Sequence, residues 1–250
     1  AEKKYVLSSR TTLAPQIDGR LDDPAWDSVA PASGFIKRKP FNGDPASFET
    51  EVRFIHDDEA LYVGAMLYDP FPDSIFTELS ERDEENMADW FAVYVDCFND
   101  YLTAYGFKVT AAGVQIDLNS TGDDEDESWD AVWDSRVNIV EKGWIAEMKI
   151  PYSALRFPKK EKQLWGLQLF RNITRYREES TWNFINLEEE GLNNQAGELH
   201  GIENVNPPLR LSFVPYLSGY LVKSPGTKQW GNSYNLGLDL KFGINESYTL

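Results

Sequence analysis

Hydrophobic and polar residues alternate at period two through most of this chain, as strands with one buried face require. In Thr50–His56 the alternation turns Val52 and Phe54 inward and Glu51 and Arg53 outward. The acidic turn Asp57-Asp58-Glu59 then leads into a second run, Ala60–Tyr68, and the two make a hairpin. Further strands are predicted at Trp90–Asp96, 105–110 and 114–118, the last two flanking Ala111-Ala112-Gly113. Three more follow at 136–140, 144–150 (closed by Pro151) and 164–172. Helical signals are few. Asp22-Asp23-Pro24-Ala25-Trp26 has an acidic cap with Pro near a first turn, and residues 151–155 predict one more turn. Short strands at this spacing predict an all-β protein, an antiparallel β-sandwich with one or two short helices.

The texture changes after Asn206-Pro207-Pro208. Tyr234, Leu236, Leu238, Leu240 and Phe242 alternate with Asn235, Gly237, Asp239 and Lys241. Such a strand suits the wall of an outer-membrane barrel and equally an ordinary sandwich. The predicted organisation is one domain over residues 1–205 and a strand-rich C-terminal extension over 206–250. The last residues, Tyr248-Thr249-Leu250, carry no turn signal and read as a cut within an element.

Charge narrows the partners. Over 250 residues there are 41 acidic and 24 basic side chains, a net charge of −17. A nucleic-acid binder needs a basic face to displace counterions, so none is expected here. A polybasic membrane anchor is excluded in the same way. The lone Cys97 excludes an intrachain disulfide framework, and its expected role is a small buried apolar group. There is no 18-residue apolar run and no apolar leader after Ala1-Glu2-Lys3-Lys4, which agrees with a mature chain whose signal has been removed. The Asn-x-Ser/Thr triplets at Asn119, Asn172 and Asn245 read as chance.

Catalytic templates fail. His56 and His200 are the only histidines, too few for a His-based metal site or triad, and His56 at its turn reads as a surface or capping residue. No catalytic residue is assigned. Acidic loops are candidates for calcium, which takes six to eight oxygen ligands. They are Asp57-Asp58-Glu59, Asp96 with Asn99 and Asp100, and the five acids at 123–127, which self-repulsion predicts to be a solvated loop.

The aromatic surplus of eight Trp, twelve Tyr and fourteen Phe points elsewhere. An indole can cover the apolar C–H face of a sugar while polar neighbours bond its hydroxyls. Trp90, Trp129, Trp133 and Trp182 stand at strand ends or loops beside Asp, Ser, Thr and Asn, whereas Trp26, Trp144 and Trp165 read as core.

An ordered set of motifs resembles the family 9 carbohydrate-binding modules. It runs from Pro15-Gln16-Ile17-Asp18-Gly19-Arg20-Leu21-Asp22-Asp23-Pro24-Ala25-Trp26 through the hairpin at 56–64 and Val93-Tyr94-Val95-Asp96. Phe107-Lys108-Val109-Thr110 with Gly113, Gly143-Trp144-Ile145-Ala146-Glu147 before Ile150-Pro151, and Trp165-Gly166 with Arg171 continue it. Within that group Ser128-Trp129-Asp130-Ala131-Val132-Trp133, Leu155-Arg156-Phe157 and Gly197-Glu198-Leu199-His200-Gly201 are similar to a subgroup at the N-terminus of bacterial outer-membrane β-barrel proteins. Pro207-Pro208-Leu209-Arg210 and Val214-Pro215-Tyr216 look like the start of the barrel region.

The resemblance implies a jelly-roll, DOMON-like sandwich that binds saccharide without cleaving it, with a terminal sugar held between two indoles and calcium as a structural cation. It implies a periplasmic or outer-membrane location in a Gram-negative bacterium, and the chain's own C-terminal barrel as a partner. By position Trp182 resembles the second indole, Lys108 stands for a sugar-contacting Arg, and Arg171 is a further candidate. Two departures are visible: Ala92 occupies the position of an acid, and Asn86 lies near that of the first indole. Trp90, Trp129 and Trp133 are the candidates to replace that platform. The alternative reading is a structural or gating domain docked on its own barrel. A third, glycoside hydrolysis, rests only on the association of such modules with hydrolases and needs two carboxylates in one cleft.

Overall fold

The computed structural model describes residues 3–84, 87–122, 124–126, 128–189, 191–207, 211–223 and 230–242. Its strands are β1 (Tyr5–Arg10), β2 (Ile36–Lys39), β3 (Thr50–His56), β4 (Ala60–Tyr68), β5 (Trp90–Asp96), β6 (Thr103–Thr110) and β7 (Gln115–Thr121). Then follow β8 (Asp124–Asp126), β9 (Asp134–Val140), β10 (Gly143–Pro151), β11 (Trp165–Ile173), β12 (Glu178–Thr181), β13 (Gly197–His200), β14 (Leu211–Lys223) and β15 (Trp230–Phe242). Every strand expected from alternation is present within a few residues. The two helical signals become single 3-10 turns at Trp26–Ser28 and Tyr152–Ala154. The chain divides into two compact units, Ala1–Pro207 and Pro208–Leu250.

The first unit is a sandwich. One sheet runs β8-β7-β6-β5-β11-β13, with β12 on β11 and β2 on β12; the other runs β1-β3-β4-β10-β9. β1 belongs to both, since Tyr5–Leu7 pair with β13 and Ser8–Arg10 with β3, in parallel on each side. All other ladders are antiparallel, so β1 is the exception to the expected pattern. Between the sheets Phe91, Val93, Val95 and Leu169 meet Phe54, Val63, Ala65 and Trp144 in one apolar core. Each such side chain, fully buried, contributes roughly 1.5–3 kcal/mol.

The acidic run departs from its expected solvated loop. Its centre, β8, pairs with the end of β7, because an edge strand offers unpaired N–H and C=O groups that a neighbour can satisfy. Asp123 and Glu127, like Asn86, lie outside the described residues.

His56 is no surface residue. β1 pairs beside the end of β3, where His56 is completely buried with the Ser8 hydroxyl 2.8 Å from Nδ1. Desolvation, helped by the Arg10 charge and opposed by Asp57, Glu203 and Asp58, lowers its pKa to about 4. Cys97 is buried as expected, and burial pushes its thiol up.

In the second unit β14 and β15 pair over thirteen residues each. Leu217 faces Leu236 and Pro215 faces Leu238 across the ladder, and these leucines are exposed within the unit. On the other face the Tyr216 ring lies over Gly237, where a Cβ would sit 2.0 Å from the phenol ring.

Candidate functional site

Three of the motifs that carry the resemblance, at 15–26, 56–64 and 143–147, meet on the outer face of the second sheet and hold a strap; the others lie on β5, β6 and β11 of the first sheet. Residues 17–29 cross this face and pack Leu21, Trp26 and Val29 against Ile55, Ala60 and Tyr62. Glu147 on β10 is buried beneath them. Its Oε2 accepts the backbone N–H groups of Asp18 (3.0 Å), Gly19 (2.7 Å) and Arg20 (3.2 Å), while Oε1 accepts the Trp26 indole N–H (3.2 Å). Burial pushes this carboxyl up, and the four hydrogen bonds oppose that. Gly19 is required because φ is +84° and a Cβ would lie 3.0 Å from that of Asn138. Gly64 on β4 gives the strap room, as its Cβ would stand 2.7 Å from a Leu21 methyl.

The acidic loops are structural in the same sense. Asp57 Oδ1 accepts the N–H groups of Glu59 and Ala60, and Oδ2 the Tyr62 hydroxyl at 2.8 Å. Asp96 caps its loop, with Oδ1 accepting from Phe98 and Asn99 and Oδ2 from Tyr101. Asp126 Oδ1 is held by Ser128. These oxygens hold the turns of their own loops. Among the described residues no group of three or more His, Cys, Asp or Glu is placed to hold a metal.

The candidate ligand residues part company. Trp182 is only 2% exposed, in the main core, with its ring against Gly197 rather than across a gap from a second ring. Its backbone oxygen is held by the Lys4 ammonium at 2.8 Å. Trp133 is buried too, its N–H on Asp117 (3.1 Å) and its ring edge-on to Phe107. Asp117 also accepts the Ala131 N–H, which ties down the Trp129–Trp133 loop from the middle of β7. Arg171 is an inter-sheet clamp. From β11 it reaches Glu49 O (2.8 Å), Thr50 Oγ1 (2.9 Å) and Tyr68 O (2.7 Å) across the core, and burial lowers its pKa to about 10. None of these three offers a ligand an open surface.

Trp90 and Trp129 differ, whereas Lys108 is 6% exposed and reaches the surface only beside the Trp90 ring. Trp129 is half-buried and leans on Tyr105 (centroids 5.2 Å apart) and Phe107 on the core side of the first sheet. Trp90 is half-buried on the outer face of the same sheet. The register puts Ala92 beside Lys108 and Phe170, and Trp90 beside Thr110 and Asn172. The Lys108 ammonium stands 4.9 Å from the Trp90 ring centroid, a cation–π contact. Tyr94 meets Phe170 edge-on at 5.0 Å, and Ile185 and Leu192 from the loop after β12 pack on Ala92 and Phe170. That loop is pinned by amides: Gln168 binds both Asn183 backbone groups, and the Asn183 side chain donates to Gln195 O (2.7 Å). The face therefore joins aromatic surface to a cation and to the Asn172 amide, whose nitrogen donates to Thr174 Oγ1 (2.9 Å) and Ala88 O (3.5 Å). The apolar lining by Phe170, Ile185 and Leu192 was illegible in the sequence, since it depends on which way the loop folds.

Comparison with known proteins follows this geometry. Residues 17–194 match the model of the carbohydrate family 9 binding domain-like family, and residues 207–250 match a domain of unknown function (DUF5916). No curated protein matches the chain. Among solved structures, a family 9 carbohydrate-binding module from Caldicellulosiruptor kristjanssonii, in complex with glucose, is similar with a TM-score of 0.58 at 19% identity, over 82% of this chain and 100% of that one. The same module with cellotriose gives 0.55 at 18% identity over the same shares. A putative carbohydrate-binding protein from Bacteroides uniformis gives 0.64 at 13% identity, over 80% of this chain and 100% of that one. At these identities the likeness is one of fold. With its strap, its Glu147 clamp and a family match over most of its length, the chain belongs to the carbohydrate family 9 binding domain-like family.

Proposed function

We propose that the first unit binds a neutral saccharide without cleaving it, on the outer face of the first sheet, with Trp90 as the stacking platform and Lys108 and Asn172 bonding hydroxyls. The observation that carries this reading is the exposure of the indoles. In the first unit only Trp90 and Trp129 keep part of their surface open, and only Trp90 has a cation beside it on a rigid sheet. Family membership and the glucose and cellotriose complexes of the similar modules support the ligand class. Titration with cello-oligosaccharides and a wider glycan panel, followed by Trp fluorescence, tests it. Saturable quenching that Trp90→Ala removes is the expected result. A flat response across the panel overturns it, and so does unchanged binding in Trp90→Ala.

The same proposal locates the chain in the periplasm of a Gram-negative bacterium, with the second unit as part of an outer-membrane barrel. Thirteen-residue strands exceed the 9–11 residues a tilted spanning strand needs, and the exposed Leu217, Leu221 and Leu236 would face lipid. The Tyr216 ring over Gly237 is the kind of cross-strand pair that steadies a sheet at a glycine. Separating the membranes of expressing cells tests this, and recovery of the chain in the cytosol overturns it.

A further inference from the structure

The strap covers only part of the second sheet. Leu21 and Trp26 lie over Gly64, and the adjoining rows line a groove: Glu51 and Arg53 on β3, Tyr68 on β4 with Met66, 9% exposed, at the base, and Ile145 on β10. Register places Glu51 beside Met66, and Met66 beside Ile145, on this outer face. The edge of the strap, with Trp26 and Val29, forms a wall. The groove that results has a volume of about 350 Å³, in the range of small-ligand sites. Three adjacent strands form its floor, so its shape is set before any ligand arrives.

Its chemistry is divided. Met66, Ile145 and Trp26 give an apolar floor and wall. Along the rim, Arg53 Nη2 donates to Glu51 Oε2 at 3.2 Å, both side chains 24% exposed, and burial with the nearby Glu51 and Glu49 charges pushes the Tyr68 hydroxyl up. Each of these groups keeps donors or lone pairs beyond the contacts just given. An anion is disfavoured, because Arg53 is already paired and Asp27 adds a second acid to the rim. A wholly apolar guest would strip water from the Glu51–Arg53 pair and return no hydrogen bonds. The guest that suits both halves has a C–H face and a rim of neighbouring hydroxyls.

We propose that this groove is a second binding site, for a neutral pyranose, on the opposite sheet from Trp90. Glu51 accepts from two vicinal hydroxyls, Arg53 and Tyr68 bond a third, and the sugar's apolar face lies on Met66 and Ile145. This site goes beyond the Trp90 reading and stands without it.

The three methionines separate the two sites. Met66 lies in the groove, Met87 is exposed three residues before Trp90, and Met148 is buried in the core. The full 250-residue chain with 13C-methyl methionine is titrated with methyl glucoside, galactoside, mannoside and xyloside and with cello-oligosaccharides. At least one sugar is expected to shift Met66 saturably, in the wild type and in Trp90→Ala alike. Arg53→Gln should weaken that response at least tenfold with Met148 unmoved. If Met148 moves in Arg53→Gln, Tyr68→Phe takes its place with the same expectation. A silent Met66 across the panel overturns the second site. Loss of its shift in Trp90→Ala, or undiminished affinity in the rim variant, does the same. Failure of the Trp90 site reads differently: Met87 and Trp fluorescence stay silent while Met66 responds.

Discussion

On the second sheet Glu147 lies under a strap with four donors aimed at its two oxygens, and nothing of it reaches solvent. On the first sheet the Lys108 ammonium lies by an indole that is still partly open. Both arrangements bring one charge to aromatic surface on the outside of a sandwich, yet they do opposite things. Glu147 is saturated by groups of its own chain, so it stabilises the fold and has no lone pair to offer a ligand. Trp90 and Asn172 are held by neighbouring strands but not covered over. The contrast separates residues that identify the family from residues that would recognise a guest. The signature motifs, Ile17–Trp26, Gly64 and Glu147, belong to the first kind.

The largest effect should come from breaking the strap. Glu147→Ala leaves the Gly19 N–H and the Trp26 indole N–H buried without partners and two part-buried N–H groups unpaired, and should cost roughly 4 kcal/mol in urea unfolding. Folded Glu147→Ala that loses under 1 kcal/mol would show that the clamp is idle.

Second comes the pH response of the sheet beneath the strap. His56 has a folded pKa of about 4 against 6.5 ordinarily, so between these values the unfolded chain binds the extra proton. The stabilisation is present above pH 6.5 and lost as pH falls toward 4, in total about 3 kcal/mol. His56→Gln should flatten the stability curve in that window; equal slopes in both proteins would refute the assignment. Asp89, Asp96 and Glu147, whose carboxyls burial raises, act in the opposite sense above their ordinary values, within the same window, and are common to both proteins.

Gly64→Ala is smaller. The added methyl meets Leu21 at 2.7 Å and Trp26 at 3.1 Å, and overpacking of this kind costs about 1–3 kcal/mol. Adding Leu21→Ala should recover part of the loss, and failure of the double variant to do so would place the strain elsewhere. Least of all, Lys108→Met should change stability by about 1 kcal/mol or less, the scale of one cation–π contact. Saccharide affinity should fall at the same time. A variant that loses several kcal/mol but binds normally would move Lys108 from the binding face to the fold.

Much of the sandwich was legible in the sequence, and the omissions have a common cause. β3, β4, β5 and β10 alternate strongly, so their burial shows in the sequence one strand at a time. β1 was missed because its larger apolar residues, Tyr5 and Leu7, point outward while Val6 and Ser8 are buried. β2, β12 and β13 are four residues each, too short for a period to register. The core assignment of Trp26, Trp144 and Trp165 agrees with the structure. For the loop-side indoles sequence context failed, since Trp133 and Trp182 have polar neighbours along the chain and apolar ones in space.

Local pattern alone determined an all-β chain and the position of most strands, because alternation and turn chemistry are properties of short segments; the family entered through the resemblance of ordered motifs. Tertiary structure decided the rest. Whether Trp182 or Trp90 is open depends on the side of the sheet each faces, and on the path of residues 183–195 over Ala92 and Phe170. Burial of His56 depends on β1 arriving beside it from 48 residues away, and Arg171 becomes a clamp only when both sheets are in place. Contacts between distant segments assign these roles, and no window of neighbouring residues contains them.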